Sequence, residues 1–240
     1  MTYCVGMLLN SGLVMVSDSR TNAGVDHIAT YRKMSVYEEP GERVLILLSA
    51  GNLAVTQAVT NLLVEGVGED AQTLMTVPSM FAAVRLVGQA VRDVYHSDAP
   101  AMMEQGAEFN ASFILGGQIK GRTLRLFQVY SAGNFIEATP DTPFFQIGEI
   151  KYGKPILDRA LRADTSLIDA TKLALVSMDS TMRSNISVGL PIDIAIYESD
   201  SYRLKMQRRV SDGDPYFTDI SRRWSQALQK AYHELPDPDW

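Results

Sequence analysis

The stretch TYCVGMLLNSGLVMVSD, residues 2–18, decides the fold. Two apolar runs, 2–9 and 13–18, flank Asn10-Ser11-Gly12, whose residue types suit a tight reversal, so the segment reads as a β-hairpin opening at residue 2. RKMSVY at 32–37 and RVLILLS at 43–49 read as two more strands, joined through the turn residues Glu38-Glu39-Pro40-Gly41. Helical spacing follows at 52–65 and at 77–96, with Pro78 suited to a first turn. Strands are expected at 110–119, 122–130 and 134–138, and helices at 151–162 and 166–182. Strands at 192–197 and 202–208 come next, and a helix at 216–233 precedes the tail ELPDPDW. The elements come in blocks instead of alternating strictly. That disfavours a parallel βαβ sheet and favours antiparallel sheets covered by helices. No linker, tandem repeat or low-complexity segment interrupts the chain, so one domain over 1–240 is expected.

Composition narrows the function. With 240 residues, 46% of them hydrophobic, the chain can bury a large core. Its 22 Lys+Arg against 28 Asp+Glu give a net charge of -6 with no basic run, which speaks against a nucleic-acid partner. A lone cysteine, Cys4, permits no internal disulfide, and His27, His96 and His233 stand at no metal-ligand spacing; no metal or organic cofactor is expected. The apolar segment 1–16 has no preceding Lys or Arg and is broken by Asn10, Ser11 and Gly12. It therefore resembles neither a signal peptide nor a membrane span, and a cytoplasmic location is expected. Gly116-Gly117 belongs to no phosphate-loop string, so nucleotide binding is not expected.

Thr2 carries the chemical suggestion. A threonine hydroxyl needs a base, and an N-terminal threonine has one in its own α-amine once an initiator Met is removed. Read in isolation Thr2 is simply a β-favouring residue at the start of a strand. Asp18 is a turn aspartate, Lys33 a solvated strand lysine, and Gly51 a strand-to-helix turn. Four strings change that reading: T-x-x-V-G at 2–6, S-D-S-R at 17–20, R-K-M at 32–34 and L-S-A-G at 48–51. Together they resemble the proteasome β-subunit family. The start at Thr2, the lysine spacing and YGKPILDRAL at 152–161 are most similar to its bacterial ancestral branch.

The resemblance implies a four-layer αββα sandwich, the Ntn-hydrolase fold, with two antiparallel sheets between helices. It also implies amide hydrolysis through an acyl-enzyme on Thr2 after loss of Met1, supported by Asp18 and Lys33, with the Gly51 N–H facing the oxyanion. Peptide or protein substrates and identical subunits in a ring or ring-like stack follow by analogy; an ATPase partner is not specified. The lysine lies one residue nearer the threonine than in most such subunits, which fits a shortened loop around 24–31. Gly148-Glu149, read as opening a helix, has an acid where most proteasome subunits have serine. Glu149 would hold the α-amine or Lys33, raise the amine's pKa and slow the reaction. A further polar pair falls in MDSTMRSNIS at 178–187, assigned to Asp179 and Ser184.

Two alternatives stay open: a catalytically silent assembly subunit, and an amidase of the same fold acting on a small non-peptide amide. Cys4 shares a strand face with Thr2, as a pocket-lining thiol or a buried core residue. Met102-Met103 with Glu104 and Glu108 read as a loop or subunit contact. Trp224, Tyr232 and Trp240 would cover a neighbouring subunit or pack in the core.

Overall fold

The computed structural model describes residues 2–23 and 27–240. Its first strand, β1 (Tyr3–Leu9), turns back into β2 (Gly12–Asp18), the hairpin expected from the opening sequence. A short two-stranded ribbon of β3 (Arg20–Ala23) and β4 (His27–Thr30) follows, then β5 (Met34–Glu39) and β6 (Arg43–Gly51). Helices α1 (Leu53–Glu65) and α2 (Met80–Glu104) lead to β7 (Ala111–Ile119), β8 (Arg125–Val129), β9 (Phe135–Glu137) and β10 (Phe144–Gly148). The chain closes with α3 (Lys154–Ala160), α4 (Leu167–Ser184), β11 (Ile192–Glu198), β12 (Leu204–Val210) and α5 (Pro215–His233).

These elements make two five-stranded antiparallel sheets, β10-β1-β2-β11-β12 and β5-β6-β7-β8-β9. Three apolar layers hold them. Cys4, Leu13, Met15, Ile46, Leu48 and Ile114 fill the space between the sheets. Leu47, Phe113 and Leu115 pack outward on Val59, Val84 and Val87 of α1 and α2. Tyr3, Val5 and Val16 pack on Leu157, Ala174 and Met178 of α3 and α4. The result is the αββα sandwich. Because β1 and β6 are covered on both faces, they read as continuous apolar runs and do not alternate. Each large side chain so buried contributes about 1.5–3 kcal/mol.

Several boundaries differ from the sequence reading. The strand expected at 32–37 begins only at Met34, leaving Lys33 just outside it. Strand β10, which pairs with β1 along Tyr3–Met7, was not anticipated, and Gly148 ends that strand and opens no helix. Helix α2 starts at Met80 behind the capping hydroxyl of Ser79, and runs through Pro100 to Glu104. Met102 and Met103 are therefore helical, and Tyr95 packs edge-on against Phe109 at 5.1 Å. The loop expected around 24–31 is partly the β3–β4 ribbon; residues 24–26 lie outside the described residues, as does Met1.

Candidate active site

Register brings the sequence candidates to one end of the sandwich. β1 starts there and β2 ends there, with Cys4 opposite Ser17. On the other sheet β5 starts and β6 ends at the same side, with Met34 opposite Leu48. Thr2, Asp18, Lys33 and Gly51 thus stand at strand ends, where backbone is released from ladders and side chains can converge.

Asp18 is the organising group. Its carboxylate has no exposed surface and accepts the Lys33 ammonium at 2.7 Å, the Tyr3 N–H at 3.1 Å and the Gly189 N–H at 3.4 Å. Lys33, only 7% exposed, gives a second N–H to the Arg20 carbonyl at 2.6 Å. Its own carbonyl is fixed by the Ser49 N–H at 3.0 Å, which ties the lysine backbone to β6 two residues before Gly51. Burial pushes the Asp18 carboxyl upward, against the opposing pull of Lys33 and of the N–H groups of Tyr3 and Gly189.

Thr2 leads β1 and is itself buried. Its carbonyl accepts the Glu149 N–H at 2.7 Å, and Gly148 makes this approach possible. With φ of 86° and a Cβ that would sit 1.9 Å from the Thr2 oxygen, residue 148 has no room for a side chain. Gly51 is constrained in the same way: φ is 123°, and a Cβ would lie 2.2 Å from the Asn110 carbonyl. It ends β6 as an exposed residue, and Asn52 directly after it caps α1 through the N–H groups of Ala54 and Val55.

The other candidates are placed differently. The Glu149 carboxylate accepts from Asn185 Nδ2 at 3.2 Å, so the acid beside Thr2 is linked to the segment after α4. Asp179 is engaged by Arg183 at 3.1 Å within α4, and Ser184 is the exposed last residue of that helix. Neither hydrogen-bonds Asp18 or Lys33 among the described residues. Cys4 is a core residue, its Sγ donating to the Ser49 carbonyl at 3.6 Å, and burial moves its thiol upward, so it stays protonated.

Sequence reading missed the segment 185–191. Arg20 donates to the Ile186 carbonyl at 2.8 Å, Ser19 to that of Pro191 at 2.6 Å, and Gly189 reaches Asp18. Glycines and backbone carbonyls of this kind carry no signal in one sequence. A second missed feature is the buried chain behind Thr2: Gln146 Nε2 donates to the Tyr3 hydroxyl, which lies 2.6 Å from Ser177 Oγ, and Ser177 donates to the Gly153 carbonyl at 3.0 Å. Burial raises the Tyr3 phenol to about 12. No group of three acidic, His or Cys side chains that would hold a metal occurs among the described residues. No helix among them is long and apolar enough to cross a membrane.

A sandwich of this strand order, its first strand led by a buried Thr2, is the proteasome-like Ntn fold. Over 99% of both chains the protein is 51% identical to Anbu, the ancestral β-subunit, from Yersinia bercovieri, with a TM-score of 0.92. It is 52% identical over both whole chains to a Gly-1 mutant of Anbu from Hyphomicrobium sp. strain MC1, TM-score 0.92. It is 50% identical over 98% of both chains to the subunit in the helical assembly of the Anbu complex from Pseudomonas aeruginosa, TM-score 0.93. No family model and no curated protein matches the chain. The chain belongs to the Anbu family, the ancestral β-subunit branch of the proteasome-like proteins.

Proposed function

We propose that the protein is an N-terminal threonine hydrolase of amide bonds, a peptidase unit over residues 1–240. The observation that carries this reading is the buried Asp18–Lys33 pair, tied through the Tyr3 N–H to the strand that Thr2 leads. With Met1 removed, the α-amine of Thr2 has a reference pKa of about 7.7–8.0 and is partly neutral at pH 7. It takes the hydroxyl proton, directly or through one water, as Thr2 Oγ attacks the carbonyl carbon. We assign the third N–H of Lys33 to Thr2 Oγ, where a cation favours the alkoxide, and the Gly51 N–H to the developing oxyanion. The amine leaving group takes the proton back, and water then cleaves the acyl-enzyme ester. We assign the Glu149 carboxylate, oriented by Asn185, to the protonated α-amine. Such pairing raises the amine's pKa and leaves less of it free to act as base at neutral pH, so turnover is slow.

Peptide is the substrate class by family analogy. The Pseudomonas aeruginosa relative forms a helical assembly, and we propose a comparable ring-like stack of identical subunits here. The free, buried cysteine suits the reducing cytoplasm.

The test is cleavage of a peptide library by the Met1-processed protein and by Thr2→Ala, with products identified by mass spectrometry. Cleavage that falls at least about 10³-fold in Thr2→Ala, with assembly unchanged, is expected. Equal activity in the variant would overturn the assignment. Assembly without cleavage in either protein would favour the silent-subunit reading, and cleavage of small non-peptide amides alone would favour an amidase.

A further inference from the structure

Beside Lys33 two guanidinium groups share one carboxylate. Asp193 on β11 is only 5% exposed and accepts Nε and Nη2 of Arg209 at 2.8 and 2.7 Å. Nε of Arg32 lies 3.8 Å from the same carboxylate. Neither arginine pairs with another carboxylate among the described residues. Two cations on one anion leave one positive charge over, on a chain whose net charge is -6. Donors are left over as well. Nη1 of Arg209 and both terminal nitrogens of Arg32 make no hydrogen bond among the described residues. The Arg32 side chain is 59% exposed and that of Arg209 33%, against 7% for Asp193, so the cluster is closed at its carboxylate and open at its arginines. A guanidinium fork fixed from behind by a buried carboxylate matches a second carboxylate in front, in geometry and in charge.

Position decides what that second carboxylate belongs to. Ala195 and Tyr197 of β11 face the layer between the sheets together with Cys4, so by alternation Asp193 and Thr2 face it too. In register Asp193 stands opposite Ser17, and Ser17 opposite Cys4. Two strand spacings put Asp193 about 10 Å from Cys4 and roughly 12 Å from Thr2, which three to four residues of extended peptide span. Arg32 also directly precedes Lys33 in the chain.

We propose that Arg32 and Arg209 form a carboxylate subsite, which takes an Asp or Glu side chain of a peptide substrate three to four residues from the bond that Thr2 attacks. Asp193 is its positioning residue. The proposal rests on the reading of Thr2 as the nucleophile of a peptidase.

Binding to full-length Thr2→Ala separates the subsite from the chemistry. Rhodamine-labelled peptides, otherwise neutral and carrying a single Glu, Gln or Lys, are compared by fluorescence anisotropy. The Glu peptide should bind about tenfold more tightly than the Gln peptide, and the gap should close when Arg32→Gln is added or the salt is raised. Adding Arg32→Glu instead should turn the preference toward the Lys peptide. Circular dichroism would verify that each variant keeps its fold. Equal binding of the Glu and Gln peptides, no binding of either, or a Glu preference undiminished in both Arg32 variants would overturn the subsite. With Thr2 intact and Met1 removed, mass spectrometry should find cut bonds three to four residues from the Glu. Cuts at unrelated spacings would overturn its placement beside Thr2. Glu-selective binding without any cleavage would uphold the carboxylate subsite and overturn the peptidase reading.

Discussion

Asp18 sits where a carboxylate is expensive, and three donors hold it there. Removing one partner of such a pair strands a buried charge, whereas removing both need not destabilise. Asp18→Asn and Lys33→Met should therefore each cost about 3–5 kcal/mol, and the double variant markedly less than the sum. Urea denaturation of the four proteins measures this; additive costs would dissolve the pair. The pH dependence has a definite sign. Burial raises the folded Asp18 above its ordinary value near 3.9, so between the two values the folded state binds the extra proton. From this group alone, stability is highest below the unfolded pKa and falls as pH rises through that window. Chemistry that needs the ionised pair has its acid limb above about 3.9, measurable as the rate of Thr2 modification against pH. Gly148→Ala is the other residue test: the added Cβ meets the Thr2 carbonyl in a positive-φ backbone. At least about 1–3 kcal/mol of stability should be lost, along with reactivity at Thr2, read by thermal melting and by adduct yield.

Strand β1 carries Thr2 at its start and is pinned at Tyr3 by a network reaching β10, α4 and the turn before α3. Tyr3→Phe leaves Ser177 and Gln146 short of a buried partner and should cost about 1–3 kcal/mol in urea denaturation. In an alkaline titration, one of the ten tyrosines should ionise near 12, well after the bulk. Because that folded value lies above the unfolded one near 10, the protein loses stability as pH climbs between them. Elements were legible where local pattern was strong. The 2–18 hairpin and the strands at 43–49 and 110–119 announce themselves by apolar runs and turn residues. Five-residue β10 did not, since Phe144–Gly148 is short and exists as a strand only through distant β1. β3 and β4, four residues each, lack any apolar alternation. The helix expected over 77–96 runs instead from Met80 through Pro100 to Glu104. The candidate site was legible in part: Thr2, Asp18, Lys33 and Gly51 come together at strand ends. The loop 185–191 stayed hidden because it meets Asp18, Ser19 and Arg20 through backbone groups, while Asp179 pairs with Arg183 within α4.

On the scale of the whole molecule, three apolar layers put a packed sandwich behind a small buried polar cluster at one end of its strands. Ile46, fully buried between the sheets, should cost about 2–5 kcal/mol when truncated to alanine, in a single cooperative transition by calorimetry. The central claim is that this scaffold presents Thr2 as an N-terminal nucleophile. Intact mass before and after treatment with a peptide epoxyketone tests it most directly, because that electrophile needs both the hydroxyl and the free α-amine of one threonine. The account predicts a protein short of one Met that gains a single adduct mapping to Thr2, and no adduct on Lys33→Met. A protein with Met1 removed that gains no adduct, or gains one elsewhere, would contradict it.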